Sequence, residues 1–406
     1  MIDDIWNSMV ESPGESLLYG MAILACLYTL LAIFCLRRVQ RPAAIASARK
    51  TPGVTMLKPL YGAEEDLFEN LASFCRQNYA GPVQILFGVH DAADPAAAVA
   101  KKIVDALRAG QLDGAPAGMT AALVVDGARH GANGKVSNLI NLSRHIKHPI
   151  LVLADSDICV APDYLSRLIA ALESPGVGLV TCLYRGIPKK GLWSSLGAMG
   201  VDYGFLPNAV TGVALKLAHP CIGATIAMRR STFDSVGGFS LIKDQLADDY
   251  ALGAAVRELG LKVTLADFAV GHAHGEGSFI ELWRQDMRWA RTIRSLDPLG
   301  YFGLAVTFPL AWALLAMIVG DYDPAGVLLV FAALLCRLTL QDEVDHRFTG
   351  RSHALWLSPV RDLLSFVIFV ASYIPGRVHW RGHDFALVDG GAITPVEAEE
   401  TEAEAA

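Results

Sequence analysis

Short apolar runs alternate with amphipathic segments in the middle of the chain, between about Pro52 and Asp297. The amphipathic segments follow a helical period, since Leu67, Leu71 and Phe74 fall on one helical face. Strands that alternate with helices predict an α/β fold, in which helices cover a mostly parallel sheet. The predicted strands are 54–57, 84–89, 121–125, 150–154, 177–182 and 222–228.

Long uncharged apolar runs flank this region on both sides. The first, residues 17–36, contains 20 residues, and at about 1.5 Å per residue it spans the roughly 30 Å hydrocarbon core of a bilayer. Residues 298–320 and 324–340 form two further runs, the second interrupted only by Arg337. The last run, 363–376, is short for a span, so we expect a re-entrant or interfacial segment, with a further span as the alternative.

Basic residues follow the first apolar run. Arg37, Arg38, Arg41 and Lys50 come after it, whereas no Lys or Arg precedes it. Because Lys and Arg are enriched on the cytoplasmic side of membrane helices, we expect the α/β domain to lie in the cytosol. The predicted organisation is a short N-terminal segment (1–16), a transmembrane helix (17–36), the cytosolic domain (52–297), a C-terminal membrane region (298–376) and a tail (377–406) with a disordered Glu/Ala-rich end.

Composition supports a membrane protein and argues against a nucleic-acid partner. Hydrophobic residues make up 53% of the 406 residues and charged residues only 18%, against about 25% in soluble domains. The mean hydropathy is +0.37, and the formal net charge of −7 does not provide the basic surface that nucleic acid requires. The seven cysteines include no Cys-x-x-Cys pair, which argues against a disulfide framework and fits a reducing compartment.

Acidic residues follow three segments of the predicted domain. Asp91 follows the second strand, Asp155-Ser156-Asp157 follows the fourth, and Asp248 and Asp249 come later. An Asp-x-Asp by itself is more often a surface turn. At the carboxyl end of a buried strand, where ligands bind, two carboxylates can instead hold one Mg²⁺ or Mn²⁺ that also binds phosphate. The chain has neither a Walker A pattern nor a dinucleotide glycine fingerprint, so we expect metal to hold the phosphates.

The segment Gln285-Asp286-Met287-Arg288-Trp289 comes just before the second apolar run. One interpretation is an interfacial amphipathic helix with Trp283 and Trp289 at the headgroup level. This interpretation does not exclude function, because Arg288 can pair with a diphosphate while the neighbouring indole packs against a sugar or lipid.

Two further segments are ambiguous. His272-Ala273-His274 lacks the i, i+4 spacing of helical zinc sites, and we predict a structural role for it rather than a ligand role. Residues 191–218 are apolar and Gly-rich, and two interpretations stay open for them: a buried connection, or a lid or acceptor wall beside the site.

The motifs resemble those of a known enzyme class. Asp91, Asp155-Ser156-Asp157, Asp248-Asp249-Tyr250 and Gln285-x-x-Arg288-Trp289 match the D, DxD, D, QxxRW series of membrane-bound family 2-type inverting glycosyltransferases in order and spacing. More narrowly, residues 57–391 resemble the ceramide glucosyltransferases, glycosyltransferase family 21. The segments that carry this resemblance are 134–139, 155–158, 178–180 and Trp380-Arg381-Gly382. Residues 181–186 and 288–294 are most similar to a bacterial branch associated with hopanoid biosynthesis.

The resemblance implies a nucleotide-diphospho-sugar transferase (GT-A, Rossmann-like) domain with flanking transmembrane helices, in a multi-pass protein of the bacterial inner membrane. On the donor side, it implies that Asp91 binds the uracil of a UDP-sugar, that Asp155 orients the ribose or the metal, and that Asp157 binds Mg²⁺ or Mn²⁺ on the diphosphate. Lys135 is expected to neutralise phosphate charge, with an exposed lysine at a helix start as the alternative. Arg288 is implied to stabilise the departing UDP.

On the acceptor side, the resemblance implies that Asp249 is the general base, which removes the proton of the attacking hydroxyl in a single inverting displacement. It places Asp248, Gln285 and Trp289 at the acceptor or leaving group. The resemblance also implies UDP-glucose or UDP-N-acetylglucosamine as the donor, and ceramide or a hopanoid polyol similar to bacteriohopanetetrol as the acceptor. The sequence leaves both choices open.

Three other functions compete with this interpretation. A processive polysaccharide synthase shares the same motifs, although three or four apolar segments are few for a sugar channel. A polyprenyl-phosphate sugar synthase is the nearer enzyme alternative. A membrane transporter or receptor with a nucleotide-binding domain calls for polar residues within its spans, and Arg337 is the one charged residue in the apolar runs.

Overall fold

The computed structural model describes residues 13–39, 51–64, 66–189, 191–350, 353–380, 383–387 and 392–395. Several predictions fall outside these ranges. They concern residues 1–12, Arg41 and Lys50 after the first apolar run, Arg381-Gly382 of the C-terminal motif, and the acidic end of the tail.

Strands β1 to β8 form one sheet, and β9 to β11 form a smaller one with the order β11-β10-β9. The strands are β1 (Val54–Pro59), β2 (Val83–Val89), β3 (Thr120–Val125), β4 (Ile150–Leu153), β5 (Ile158–Cys159), β6 (Val177–Pro188), β7 (Ile226–Arg229), β8 (Lys262–His274), β9 (Val378–Trp380), β10 (His383–Leu387) and β11 (Ile393–Pro395).

The main sheet has the strand order β3-β2-β1-β4-β7-β6-β8-β5. Strand β1 is parallel to β2 and β4, β2 is parallel to β3, and β6 is parallel to β8. Strand β7 is antiparallel to β4 and β6, and β5 is antiparallel to β8. Every residue of β1, β2 and β4 is buried, as expected for parallel strands covered on both faces. The predicted mostly parallel α/β sheet is confirmed.

Two strand predictions need correction. The run predicted as a strand over 222–228 is extended only from Ile226, because residues 222–225 lead into it as a turn. Strand β8 is 13 residues long and was not predicted. Its polar residues, among them Asp267, His272 and His274, interrupt the apolar pattern on which the strand predictions relied.

The structure also contains α-helices, some of which pack against the main sheet. They are α1 (Pro13–Arg38), α2 (Leu67–Cys75), α3 (Pro95–Arg108), α4 (Gly134–Ser143), α5 (Tyr164–Leu172), α6 (Leu192–Gly200), α7 (Leu206–Ala214), α8 (Arg230–Ser235), α9 (Asp248–Glu258), α10 (Phe279–Leu296), α11 (Pro298–Gly303), α12 (Pro309–Val319), α13 (Pro324–Val344) and α14 (Ser358–Ala371). The predicted apolar face of α2 is buried, since Leu67, Leu71 and Phe74 are at most 2% exposed.

Two of the described helices are long and apolar enough to cross a membrane: Pro13–Arg38 and the stretch Pro324–Thr349. The run 298–320 is not one straight helix. Its two parts, Pro298–Thr307 and Pro309–Val319, are bent by 65° and amount to a third span only if they act as one broken span. The bend lies next to Pro309, which has no N–H to continue the preceding helix. The last apolar run begins earlier than predicted, as the 14-residue α14.

The described residues divide into two compact units. The helical unit comprises the described parts of Met1–Gln40, Lys190–Ala218 and Glu276–Val378, and the sheet unit comprises those of Arg41–Lys189, His219–Gly275 and His379–Ala406. The predicted domain 52–297 is therefore interrupted, because residues 190–218 and 276–297 cluster with the apolar helices. For example, α7 contacts α1, where Tyr28 donates a hydrogen bond to Asn208 Oδ1 at 2.9 Å.

Candidate active site

A lysine near the carboxyl end of β1 contacts the Asp-x-Asp turn that follows β4. The two strands are parallel neighbours, with Leu57 paired with Leu153, so Lys58 lies level with the residues just after β4. The Lys58 ammonium donates a hydrogen bond to the backbone oxygen of Asp155. It also lies 3.7 Å from the centre of the Phe74 ring, a cation–π contact.

Lys58 is completely buried. Burial lowers the pKa of Lys58 to about 7, although the nearby Asp155 and Asp157 act in the opposite direction. Sequence reasoning missed this residue. The available signal was a single charged residue near the end of a mostly apolar strand, since a charge at such a position requires a specific partner.

Asp157 contacts a histidine of β8. Strand β5 pairs with β8 so that Ile158 lies opposite His272, and Asp157 accepts a backbone hydrogen bond from Ala273 at 2.8 Å. His272 Nε2 lies 3.2 Å from Asp157 Oδ2, and His272 Nδ1 lies 3.0 Å from His274 Nε2. Burial opposes ionisation of Asp157, but His272, Lys58 and His274 outweigh it and hold its pKa below the usual value.

The sequence therefore contained a usable signal in His272 and His274. The two histidines lie two residues apart on a strand, so their side chains point to the same face. The prediction from the sequence considered only the spacing of a helical zinc site. The structure places His272 against the Asp-x-Asp motif, while the expectation that these histidines are structural stays untested.

The geometry at Asp157 fits a divalent cation. Among the described residues, Asp157 Oδ1 is buried and has no hydrogen-bond partner, and it sits beside the imidazole of His272. A carboxylate oxygen and an imidazole nitrogen are both common metal ligands. Within the described ranges, no three His, Cys, Asp or Glu side chains form a metal site by themselves. Any cation held here would therefore need oxygens from a ligand or water.

Lys135 lies between two acids. It is the second residue of α4, whose first turn is capped by Asn133, and Asn133 also donates to the backbone oxygen of Gln245. This arrangement directs the Lys135 ammonium to 2.9 Å from Asp155 Oδ1 and 3.1 Å from Asp248 Oδ2. The exposed alternative is wrong, because Lys135 is buried.

The charge of Lys135 is strongly favoured. Burial lowers its pKa, but the carboxylates of Asp155, Asp248 and Asp249 outweigh burial and hold the pKa well above its ordinary value. The charged Lys135 side chain thus joins Asp155, in the turn after β4, to Asp248 at the start of α9.

Asp248 and Asp249 begin α9, where carboxylates interact favourably with the helix dipole. Asp249 Oδ2 accepts a hydrogen bond from the backbone N–H of Gly223 at 2.6 Å, and Oδ1 accepts one from Tyr250 at 2.8 Å. Burial and the neighbouring Asp248 raise the pKa of Asp249 to about 6. Burial also raises the pKa of Asp248, against the opposing effect of Lys135.

Gly223 brings the two groups of acids to one place. A Cβ at this position would lie 3.3 Å from Asp249 Oδ2 and 3.4 Å from Asp155 Oδ2. Both carboxylates therefore face the same glycine, and the absent side chain leaves space beside each of them. Within the sheet unit, the structure brings together Lys58, Lys135, Asp155, Asp157, Asp248, Asp249 and His272.

The other predicted site residues are Asp91 of the sheet unit and Gln285, Arg288 and Trp289 of the helical unit. Asp91 follows β2, is exposed, and accepts a hydrogen bond from the backbone N–H of Ala93 at 2.8 Å. Gln285, Arg288 and Trp289 lie on α10 of the helical unit, where Arg288 donates to Gln285 Oε1 at 2.9 Å. Arg288 lies 5.9 Å from the Trp289 ring centre.

The ambiguous segment 191–218 is mostly helical. Helices α6 and α7 are joined without a turn by a π-helical stretch, Val201–Phe205. Asp202 in this stretch is buried and lies 2.8 Å from His353 Nε2. Tyr203 donates to both carboxylate oxygens of Asp345, at 2.9 and 3.0 Å. These contacts lie within the helical unit, and the choice between a buried connection and an acceptor wall stays open.

Comparisons with known proteins identify the family of this chain. The sequence profile of glycosyl transferase family 21 matches residues 17–393. Ceramide glucosyltransferase 1 of Caenorhabditis elegans is 22% identical over 363 residues, which cover 84% of this chain and 73% of that protein. Ceramide glucosyltransferase 3 of the same organism is 23% identical over 374 residues, which cover 85% of this chain and 74% of that protein.

A solved structure supports the fold. A mannosyltransferase from Pyrobaculum calidifontis, determined in complex with GDP-Man and Mn²⁺, matches with a TM-score of 0.50 at 19% identity, over 86% of this chain and 99% of that one. The predicted GT-A fold is confirmed. Since the family profile covers most of the sequence, the chain belongs to glycosyl transferase family 21.

Proposed function

We propose that this glycosyltransferase moves a hexose from a UDP-sugar to the hydroxyl of a membrane lipid, with inversion at the anomeric carbon, and so makes a β-glycolipid. The observation that carries the proposal is the convergence of Asp155 and Asp249 on Gly223. In this proposal Asp155 contributes to donor binding and Asp249 accepts the proton, and the space beside Gly223 lies next to both carboxylates. Two relatives named as ceramide glucosyltransferases support a lipid acceptor.

On the donor side, Asp157 and His272 would hold a divalent cation, and Asp91 would bind the uracil. When bound, the cation supplies stabilisation of the negative charge that develops on the departing UDP. An imidazole ligand favours Mn²⁺ over Mg²⁺, which prefers oxygen ligands. The mannosyltransferase of the same fold was solved with Mn²⁺. Arg288 is assigned to the same leaving-group charge, as its motif implies.

On the acceptor side, Asp249 is the proposed general base. Its raised pKa leaves it ionised at neutral pH and still basic enough to accept a proton from the attacking hydroxyl. Asp248 is the less suitable candidate, because its carboxylate is paired with Lys135. We assign a positioning role to Asp248 and Lys135. Their ion pair holds the start of α9, which carries the base Asp249, at a fixed distance from Asp155.

The decisive experiment measures transfer by the full-length protein in membranes. Radiolabelled UDP-glucose and UDP-N-acetylglucosamine are each supplied with ceramide or with a bacteriohopanetetrol-type hopanoid, and the lipid products are identified by mass spectrometry. We expect one sugar to be added to one of these lipids. Products with many sugars would support a processive synthase, label in a polyprenyl phosphate would support that alternative enzyme, and the absence of transfer from either donor would contradict the proposal.

We also propose that the sheet unit faces the cytosol, where nucleotide sugars are made. Arg37 and Arg38 end the first candidate span and support this orientation. A cysteine introduced at the exposed Gln111 should resist a membrane-impermeant thiol reagent in intact cells and react after lysis. Labelling in sealed cells would reverse the proposed orientation.

A further inference from the structure

Helix α10, which carries the QxxRW motif, contains a buried acid. Asp286 follows the first residue of the motif, and its side chain is only 9% exposed. The helix is otherwise rich in positive charge, with Arg284, Arg288 and Arg291 spaced three or four residues apart. A carboxylate that is buried away from solvent requires a specific partner.

The partner is Arg361 of α14. Arg361 Nη1 donates to Asp286 Oδ2 at 2.8 Å, and the arginine side chain is 10% exposed. Gly200, the last residue of α6, lies against the guanidinium so closely that a Cβ there would overlap it. A glycine at this position therefore gives Arg361 the space to reach α10.

Apolar contacts alone would leave the orientation of α10 poorly defined. Met287 and Ala290 pack in one cluster with Ile368 and Phe369 of α14, and such contacts have no preferred direction. The ion pair does have one. If α10 turned about its axis by one residue, or about 100°, Asp286 would move away from Arg361, and the buried guanidinium would lose the carboxylate that it contacts.

We propose that the Asp286–Arg361 ion pair is a positioning pair that sets the rotation of α10 and so the direction in which Gln285 and Arg288 point. Gln285 and Arg288 are three residues apart, share one face and are hydrogen-bonded to each other, whereas Asp286 projects from a different face. The inference rests on the proposed function, in which Arg288 acts on the departing UDP.

Asp286→Asn tests the proposal because it removes the charge and keeps the shape. We expect kcat per folded molecule to fall at least tenfold, with little change in KM for the UDP-sugar. Arg361→Lys, which keeps the charge, should retain more turnover than Arg361→Met. The matched control is Asp362→Asn. It breaks the similarly buried ion pair between Asp362, which follows Arg361 on α14, and Arg337 of α13, and should lower thermal stability while leaving kcat near that of the wild type.

A second measurement follows the helix itself. Spin labels are attached through Arg284→Cys and Trp356→Cys, both exposed positions of the helical unit, with the half-buried Cys159 and Cys336 replaced by Ala. Asp286→Asn should broaden or shift the distance distribution, and Asp362→Asn should not.

Wild-type kcat in Asp286→Asn, or a label distribution identical to that of the parent, would overturn the proposal. The distance measurement does not depend on sugar transfer. If the proposed function is wrong but the positioning pair is right, the parent protein will be inactive and Asp286→Asn will still change the label distances. The two failures can therefore be told apart.

Discussion

Replacing Asp249 by Asn is expected to lower kcat by on the order of 10²-fold or more, while the affinity for UDP-sugar changes little. The asparagine side chain keeps the size of the original and can still accept a hydrogen bond from Gly223 or Tyr250. It has no useful affinity for a proton, so the deprotonation of the acceptor is lost, together with one of the two hydrogen bonds from backbone N–H groups. Steady-state kinetics and binding of UDP-sugar by calorimetry measure the two effects separately.

Asp248→Asn is the matched control, since it changes the adjacent carboxylate in the same way. Asp248 is paired with Lys135, so this variant should lose thermal stability more than turnover. If Asp248→Asn is inactive and Asp249→Asn retains its turnover, the proposed base is the wrong carboxylate.

The pH profile gives an independent test of the base. Asp249 must be deprotonated to accept the proton, and its pKa is raised to about 6 by burial and by Asp248. The value of kcat/KM should therefore be constant above about pH 6 and fall tenfold for each pH unit below it, because kcat/KM reports the pKa of the free enzyme. Asp249→Asn should abolish this acid limb. A limb of the same shape in that variant would assign the titration to another group.

Asp157→Ala is expected to abolish transfer and, at the same time, the thermal stabilisation that we expect UDP and Mn²⁺ to give to the wild-type protein. Two phosphate charges next to carboxylates are unfavourable without a cation between them, and a bound metal contributes several kcal/mol to the transition state. We therefore expect kcat/KM to fall by on the order of 10³-fold or more, as each 1.4 kcal/mol corresponds to a factor of ten.

Asp126→Ala is a suitable control for this experiment. Asp126 also follows a strand of the same sheet, β3, and is paired with Arg144 at 3.2 Å. The control should keep both the activity and the stabilisation by UDP with Mn²⁺. If Asp157→Ala kept its activity in the presence of EDTA, Asp157 would not be the residue through which a metal acts.

Charge is concentrated in the candidate site, and each buried charge has a distinct environment. Lys58 contacts the backbone of the Asp-x-Asp turn, Lys135 joins Asp155 to Asp248, and Asp249 is held by backbone N–H groups. The two lysines differ in pKa. Burial dominates at Lys58 and lowers its pKa, whereas three carboxylates near Lys135 outweigh burial and raise its pKa. Residue type alone does not reveal such differences.

The pattern of apolar and polar residues along the chain was sufficient to predict much of the fold. Strands β1, β2 and β4 were predicted within one or two residues, because parallel strands covered on both faces are continuous apolar runs. Strand β3 is only partly buried, but its residues after Thr120 are all apolar, and it was predicted equally well. Strand β8 was missed, because polar residues such as Asp267, His272 and His274 interrupt its apolar pattern, and its pairing with β5 and β6 is visible only in the tertiary structure. The bend in the run 298–320 was missed for a related reason, as hydropathy reports how apolar a segment is and not whether it is straight.

The sequence by itself determined the α/β class, the apolar runs at either end, the order of the acidic motifs and the family to which they point, since all of these depend on residue type and spacing along the chain. Only the tertiary structure decided that His272 lies against Asp157, that Lys135 is buried between Asp155 and Asp248, and that Asp249 faces Gly223. It also decided that residues 190–218 and 276–297 cluster with the apolar helices. The physical reason is that burial and ion pairing depend on which distant segments meet, and a local pattern does not contain that information.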